Sequence, residues 1–201
     1  MIELIHIHKA FEDKVIFEDF SMELPDGTFT IITGESGCGK TTLLNMLGGI
    51  EEPDSGEILI HGKNLKSIKR RNYFRDVAGF LFQNFALMEN RTVKQNLEII
   101  KPKNRSGITM EEALSRVGLS GMENAMVYKL SGGEQQRAAL ARLMIKKCSI
   151  ILADEPTGSL DEKNGRIVME QLHSLRDEGK TIVMVTHNKE YLSEADIVVE
   201  L

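Results

Sequence analysis

Phe29-Thr30-Ile31-Ile32-Thr33, then Gly34-Glu35-Ser36-Gly37-Cys38-Gly39-Lys40-Thr41, then Thr42-Leu43-Leu44-Asn45-Met46-Leu47 reads as an apolar strand, a glycine-rich turn and a helix. That order makes a phosphate cradle. The turn lets successive backbone N–H groups point inward, and the helix adds its positive N-terminal end. Lys40 supplies a mobile cation for β and γ phosphates, and the Thr41 hydroxyl is placed to ligate Mg²⁺. Gly34, Glu35, Ser36, Gly37, Cys38, Gly39, Lys40, Thr41 and Thr42 are therefore the candidate nucleotide-binding segment.

Working outward, the 201 residues suffice for one substantial core and a small helical appendage. The 30 acidic and 25 basic residues give a formal charge of -5, so no global positive field draws the chain to nucleic acid. Lys63, Lys66, Lys69, Arg70, Arg71 and Arg75 form a local basic run, read either as a patch or as a solvated helix face over an apolar underside. The two cysteines, Cys38 and Cys148, do not describe a disulfide scaffold; Cys148 reads as a small core filler. No apolar stretch approaches the roughly 18 residues of a membrane span, and the first residues alternate like an edge strand, unlike a signal peptide.

Short strands are expected at Ile2 to Ile7, Val15 to Phe17, Phe20 to Leu24, Phe29 to Thr33, Glu57 to Ile60 and Val77 to Phe82, with a helix from Lys40 to Leu47. From Asn84 to about Lys129 the pattern turns helical, at Val93 to Ile99 and Thr109 to Val117, which predicts an insert standing off the main core. Thr109 and Glu112 are placed to cap its second helix. Helices and uniformly apolar strands then alternate: a helix to Lys146, Ile150 to Ala153, Glu162 to Arg176, Thr181 to Val185, a short helix, and Ile197 to Val199. Strands of that kind want both faces covered, the mark of a parallel sheet.

The strand Ile150 to Ala153 delivers Asp154 and Glu155, and an open α/β sheet places its ligands at the carboxyl ends of its strands. Asp154 suits the Mg²⁺ shell and Glu155 the polarisation of an attacking water. His187 ends another strand and can hydrogen-bond a phosphate oxygen or a water. Gln83 ends a third; its neutral amide can reach a metal or a water. Ser131, Gly132 and Gly133, just before a strong helix, form a second anion site.

Leu130-Ser131-Gly132-Gly133-Glu134-Gln135-Gln136-Arg137 resembles the signature of the ATP-binding cassette (ABC) ATPases. The other pieces fall in that family's order: the phosphate loop, Gln83 as the Q-loop glutamine, Ile150 to Glu155 as the Walker B strand with its catalytic glutamate, Gly158-Ser159-Leu160-Asp161 as the D-loop, and His187 as the switch histidine. The resemblance covers essentially the whole chain. It implies an α/β P-loop NTPase fold, with a mostly parallel sheet core, an N-terminal antiparallel β part and a helical insert. It further implies a single ABC ATPase domain over 1–201, its RecA-like core at about 1–83 and 131–201 and its helical subdomain at about 84–130.

The implied catalytic set is Glu155, His187, Gln83 and Lys40, with Thr41, Gln83 and Asp154 around Mg²⁺. ATP is gripped by the phosphate loop, and Ser131, Gly132, Gly133 and Asp161 close on it from a second copy packed head to tail. Phe11 resembles the aromatic that stacks on adenine; packing under the edge strand is the alternative, and Ile16 could support the ribose. The stretch from Gly34 to Gly49, Glu134 to Arg137 and Gly158 to Asp161 is similar to the lipoprotein-release, macrolide-efflux and bacteriocin-peptide export cassettes. In such systems the ATPase is a separate chain at the cytoplasmic face, peripheral to the membrane through an integral permease, against which Phe85-Ala86-Leu87-Met88 would press; a satisfied local core is the alternative for that segment. A coupler of cell-division type, which moves no substrate, carries the same motifs. The ending after His187 is shorter than is common in the family, which predicts a lightly covered last strand and no appended regulatory domain.

Overall fold

The computed structural model describes residues 1–12 and 14–201. Strands β1 (Ile2–Phe11), β2 (Lys14–Leu24), β4 (Ser55–Ile60) and the two-residue β5 (Lys63–Asn64) form an antiparallel sheet in the order β2-β1-β4-β5. Strands β3 (Phe29–Thr33), β6 (Ala78–Leu81), β7 (Ile150–Asp154), β8 (Thr181–Val185) and β9 (Ile197–Glu200) form a parallel sheet in the order β6-β7-β8-β3-β9. The helices are α1 (Lys40–Leu47), α2 (Arg70–Asp76), α3 (Val93–Leu97), α4 (Met110–Arg116), α5 (Gly132–Met144) and α6 (Glu162–Asp177). This is the expected α/β fold with its N-terminal antiparallel part.

The inner parallel strands β7 and β8 are mostly apolar because each divides its side chains between two cores. Ile151, Ala153, Ile182 and Met184 join the α5 and α6 side, whereas Ile150, Leu152, Val183 and Val185 join α1, Tyr73 of α2 and the antiparallel sheet. All five residues of β8 are buried, and burying each large aliphatic contributes about 1.5–3 kcal/mol. Apolar residues from the 84–130 stretch, among them Val93, Leu97, Leu114 and Leu119, fall in one contiguous cluster with Ala138 to Ile145. β-structure within 84–130 amounts, among the described residues, to isolated bridges at Thr92 and Arg105.

Several local expectations are corrected. The two strands expected between Val15 and Leu24 are one, bent where Asp19 takes a left-handed φ of 55° and the register with β1 shifts. Thr109 does accept the Glu112 N–H, but the Glu112 carboxylate goes to Arg116 at 2.6 Å and completes no reciprocal cap. The short helix after His187 is a 3-10 turn, Lys189–Glu194. The basic run becomes a short 3-10 turn and α2, whose solvated cations lie over a buried Tyr73. Outer strand β9 is half-covered, with Val198 exposed. Among the described residues no helix is long and apolar enough to cross a membrane.

Parallel pairing brings the carboxyl ends of β3, β6, β7 and β8 to one edge. Ile32 lies beside Val185, Val185 beside Asp154, and Ala153 beside Leu81. The segments carrying Gly34, Gln83, Glu155 and His187 all leave the sheet there.

Candidate functional site

At the start of α1, Gly39 has φ 105° and no side chain caps the helix, nor is there an acidic residue in its first turn. Helices α3, α4, α5 and α6 each have a side-chain N-cap. The free N–H groups of α1 and its dipole thus remain available to an anion. A side chain at position 39 would be strained at that φ and would press into Ile16, its Cβ 2.5 Å from Cγ2. Lys40 Nζ donates to the carbonyls of Gly34 at 2.9 Å and Glu35 at 2.7 Å, so the cation expected to be mobile is tied to its own loop.

Thr41 Oγ1 stands 3.5 Å from Asp154 Oδ1. Burial, then the Glu155 charge, push the Asp154 carboxyl above the ordinary range, against the opposing effects of Thr41 and Lys40. A divalent cation relieves that situation. Gln83 and Asp154 line one cleft of about 480 Å³ with Phe85 and Ser159. Among the described residues no group of three His, Cys, Asp or Glu side chains could hold a metal ion. A hydroxyl, one carboxylate and an amide oxygen fit Mg²⁺, which prefers hard oxygens and keeps several waters.

Glu155 sits at φ 44°, a strained position for a non-glycine residue, which turns its side chain to the end of β8. Oε1 accepts the His187 backbone N–H at 3.0 Å and lies 2.8 Å from His187 Nδ1; Oε2 accepts the Thr186 hydroxyl at 3.2 Å. An ionised carboxylate only accepts, so Nδ1 carries the proton and Nε2 is turned outward. The His187 side chain is exposed and that of Glu155 half-buried. Together they line an open cavity of about 350 Å³ with Gly158 and Lys189.

Phe11 is 45% exposed, which corrects the alternative of packing under the edge strand. Its register partner Lys14 donates to the Gly37 carbonyl at 3.1 Å, and Ile16 touches Gly39, so the β1–β2 end is fastened to the phosphate loop.

Ser131, Gly132 and Gly133 are brought elsewhere. The Ser131 N–H and hydroxyl both donate to Glu134 Oε2 at 2.8 Å, in a capping box at the start of α5. A Cβ at Gly132 would meet Phe85, and one at Gly133 would meet Asn164. Asp161 accepts the Asn164 N–H at 2.8 Å and caps α6, which holds its carboxyl below the ordinary range. None of these contacts is to the phosphate loop. Sequence reasoning missed Thr186, Lys14 and Arg142, whose guanidinium donates to the Ala86 carbonyl at 2.7 Å behind Gln83. Only Thr186, adjacent to His187, had a signal to find it by.

A parallel sheet that gathers an uncapped glycine-loop helix, a hydroxyl–carboxylate pair and a carboxylate–histidine pair along one edge defines a phosphate-loop nucleoside triphosphatase. The family model described as ABC transporter matches residues 17–158. The chain belongs to that family, as its ATP-hydrolysing component. YxdL, an ABC transporter ATP-binding protein of Bacillus subtilis, is 42% identical over 94% of this chain and 78% of its own length. The spermidine/putrescine import ATP-binding protein PotA of Acetivibrio thermocellus is 39% identical over 99% of this chain and 58% of its own. The macrolide export ATP-binding/permease protein MacB of Chlorobium luteolum is 38% identical over the whole chain, which spans 32% of MacB. The dimeric structure of the bacterial ABC transporter cassette MJ0796 superposes with TM-score 0.89 and 32% identity, covering 100% of this chain and 94% of that one.

Proposed function

We propose that this chain is the nucleotide-binding subunit of an ABC transporter that works as a homodimer with ATP sandwiched between its copies. It powers a separate integral permease for export or release of a peptide, lipoprotein or drug-like substrate. The observation that carries the reading is the Glu155–His187 pair on strand ends adjoining the uncapped α1 loop. The location of Ser131, Gly132 and Gly133 against Phe85 and Asn164, rather than against that loop, supports their closing on a second copy's nucleotide. So does the dimeric MJ0796 cassette.

In this mechanism the loop from Gly34 to Thr42 grips the phosphates, and Lys40 exchanges its loop carbonyls for β and γ oxygens. Thr41, Asp154 and Gln83 would hold Mg²⁺, which when bound neutralises phosphate charge. Glu155 has three of its roughly four acceptor positions used by Thr186 and His187, leaving one for the attacking water. With its proton on Nδ1, His187 accepts from the attacking water at Nε2, and it holds a γ-phosphate oxygen only as the imidazolium, which donates from both nitrogens; Phe11 takes the adenine, and Asp161 closes across the dimer. Residues 1–83 and 131–201 act as the catalytic core and 84–130 as the arm that meets the permease, at the cytoplasmic face. The acidic net charge supports a role without nucleic acid.

The macrolide-export relative and the motif resemblance support export, whereas an import protein of similar identity makes direction the point to test. With the native permease rebuilt in vesicles, ATP should move a labelled peptide or lipid outward, and Glu155→Gln should stop it. Inward movement would establish an importer. Hydrolysis without movement of any labelled compound would favour the mechanical coupler.

A further inference from the structure

Beneath Phe11 lies a buried cation that the reading above does not use. The Lys9 side chain is 7% exposed, and its Nζ donates to Glu51 Oε1 at 2.6 Å, the Glu52 carbonyl at 3.0 Å and Asp54 Oδ1 at 3.2 Å. Asp54 Oδ2 also accepts the Ala10 N–H at 2.7 Å, between Lys9 and Phe11. The same Nζ stands 4.8 Å from the centre of the Phe11 ring. Buried lysines are rare unless paired, and here three acceptors fix the ammonium beside one aromatic face.

The acceptors belong to the far end of the phosphate helix. After α1 the chain turns with the N–H groups of Ile50 and Glu51 on the Asn45 carbonyl, which delivers Glu51, Glu52 and Asp54 to Lys9. One end of α1 thus carries the phosphate loop, and the segment after its other end holds the cation. The hydrogen bond to Glu51 raises the Lys9 pKa despite its burial, so the group stays an ammonium at neutral pH.

We propose that Lys9 is a positioning residue for the nucleotide base: its ammonium, clamped by Glu51, the Glu52 carbonyl and Asp54, occupies one face of Phe11 and presents the opposite face to the purine. The inference rests on Phe11 being the base platform. A cation on one face does two things. It fixes the tilt of an otherwise exposed ring, lowering the ordering cost of stacking, and it draws π density from the open face, which favours an electron-rich heterocycle there. The clamp also ties platform to phosphate helix, so base and triphosphate are held at a set separation.

The test compares Mg-ATP with Mg-tripolyphosphate, which has the phosphates and no base. By calorimetry, Phe11→Leu should weaken ATP and leave tripolyphosphate unchanged. Lys9→Met should weaken ATP by about three- to tenfold, the range of a partly desolvated cation–π contact, and spare tripolyphosphate. Added to Phe11→Leu, it should cause no further loss. Because Lys9→Met strands two carboxylates, Lys9→Met/Glu51→Gln serves as the variant that removes one of them, Asp54 keeping the Ala10 N–H, with the same selectivity expected. An equal loss for both ligands, or unchanged ATP affinity while Phe11→Leu is impaired, would overturn the role of Lys9. If Phe11→Leu leaves both affinities unchanged, the platform reading fails first and takes the inference with it.

Discussion

At the residue scale the chemistry turns on Glu155, whose left-handed backbone and three hydrogen bonds aim one carboxylate at the end of a neighbouring strand. Gln in its place keeps the shape and loses the base. Glu155→Gln is expected to bind ATP normally and to lower phosphate release by at least about a hundredfold; near wild-type turnover would remove Glu155 from the role. A second carboxylate, Asp196, serves stability. It accepts the Phe29 N–H at 2.8 Å and Arg176 Nη1 at 3.1 Å, and chiefly the Phe29 bond, then Arg176, holds its pKa below the ordinary value against the opposing effect of burial. A depressed native pKa means that the unfolded chain binds more protons in acid, so the contribution is complete above the ordinary value and lost as pH falls through the native one. Asp196→Asn should therefore melt below wild type at neutral pH, with the gap constant down to about pH 5 and closing below about pH 4. A gap as wide at pH 3 as at pH 7 would contradict this assignment.

At the element scale, the segment after Gln83 is held by a residue with no motif. Asn96 of α3 is fully buried; its Oδ1 accepts the Met88 N–H at 2.8 Å, and its Nδ2 donates to the Met88 and Thr92 carbonyls at 3.1 and 3.0 Å. Asn96→Leu keeps the branched shape and strands the Met88 backbone. The expected loss is about 1–3 kcal/mol of unfolding free energy, with faster amide exchange at Met88 than at β8; denaturant melts and exchange rates check both. Asn96 also marks where reading the sequence stops. Helices and strands of the parallel sheet were legible, α1 and β8 to the residue, because apolar runs and turn residues reflect local physics. The bend at Asp19, the fate of the Glu112 carboxylate and the Asn96 knot depend on partners distant in sequence or on a choice between two neighbours, and no periodicity encodes them. Phosphate-loop, Asp154, Glu155 and His187 positions were legible because chemistry restricts residue types at strand ends. Lys9 was not, since β1, expected as an edge strand, is an inner one between β2 and β4, and its alternation gives no sign that its lysine points inward.

At the scale of the whole molecule the two helix starts read from the sequence as anion sites differ: that of α1 is uncapped, whereas Ser131 and Glu134 already cap that of α5, and the two point to different neighbours. The start of α1 opens beside Asp154 and Glu155, whereas that of α5 packs on Phe85 and Asn164. If each ATP is gripped by one copy and closed by the other, a defect in the phosphate loop and a defect at Ser131 spoil different halves of a site. Lys40→Ala and Ser131→Arg should each abolish retention of ATP in a background also carrying Glu155→Gln. Mixed one to one, they should form a heterodimer with one site doubly damaged and one intact: the unaltered loop of the Ser131→Arg chain faces the unaltered Ser131 of the Lys40→Ala chain. The expected readout is about one ATP trapped per heterodimer, with a doubled mass by light scattering. A single chain carrying both substitutions, mixed with the Glu155→Gln background alone, should add no trapped ATP beyond what the background homodimer holds, because each site of the mixed dimer inherits one defect. Should the first mixture stay empty and monomeric while the background dimerises, Ser131 would serve the nucleotide of its own chain, and the head-to-tail arrangement would fall.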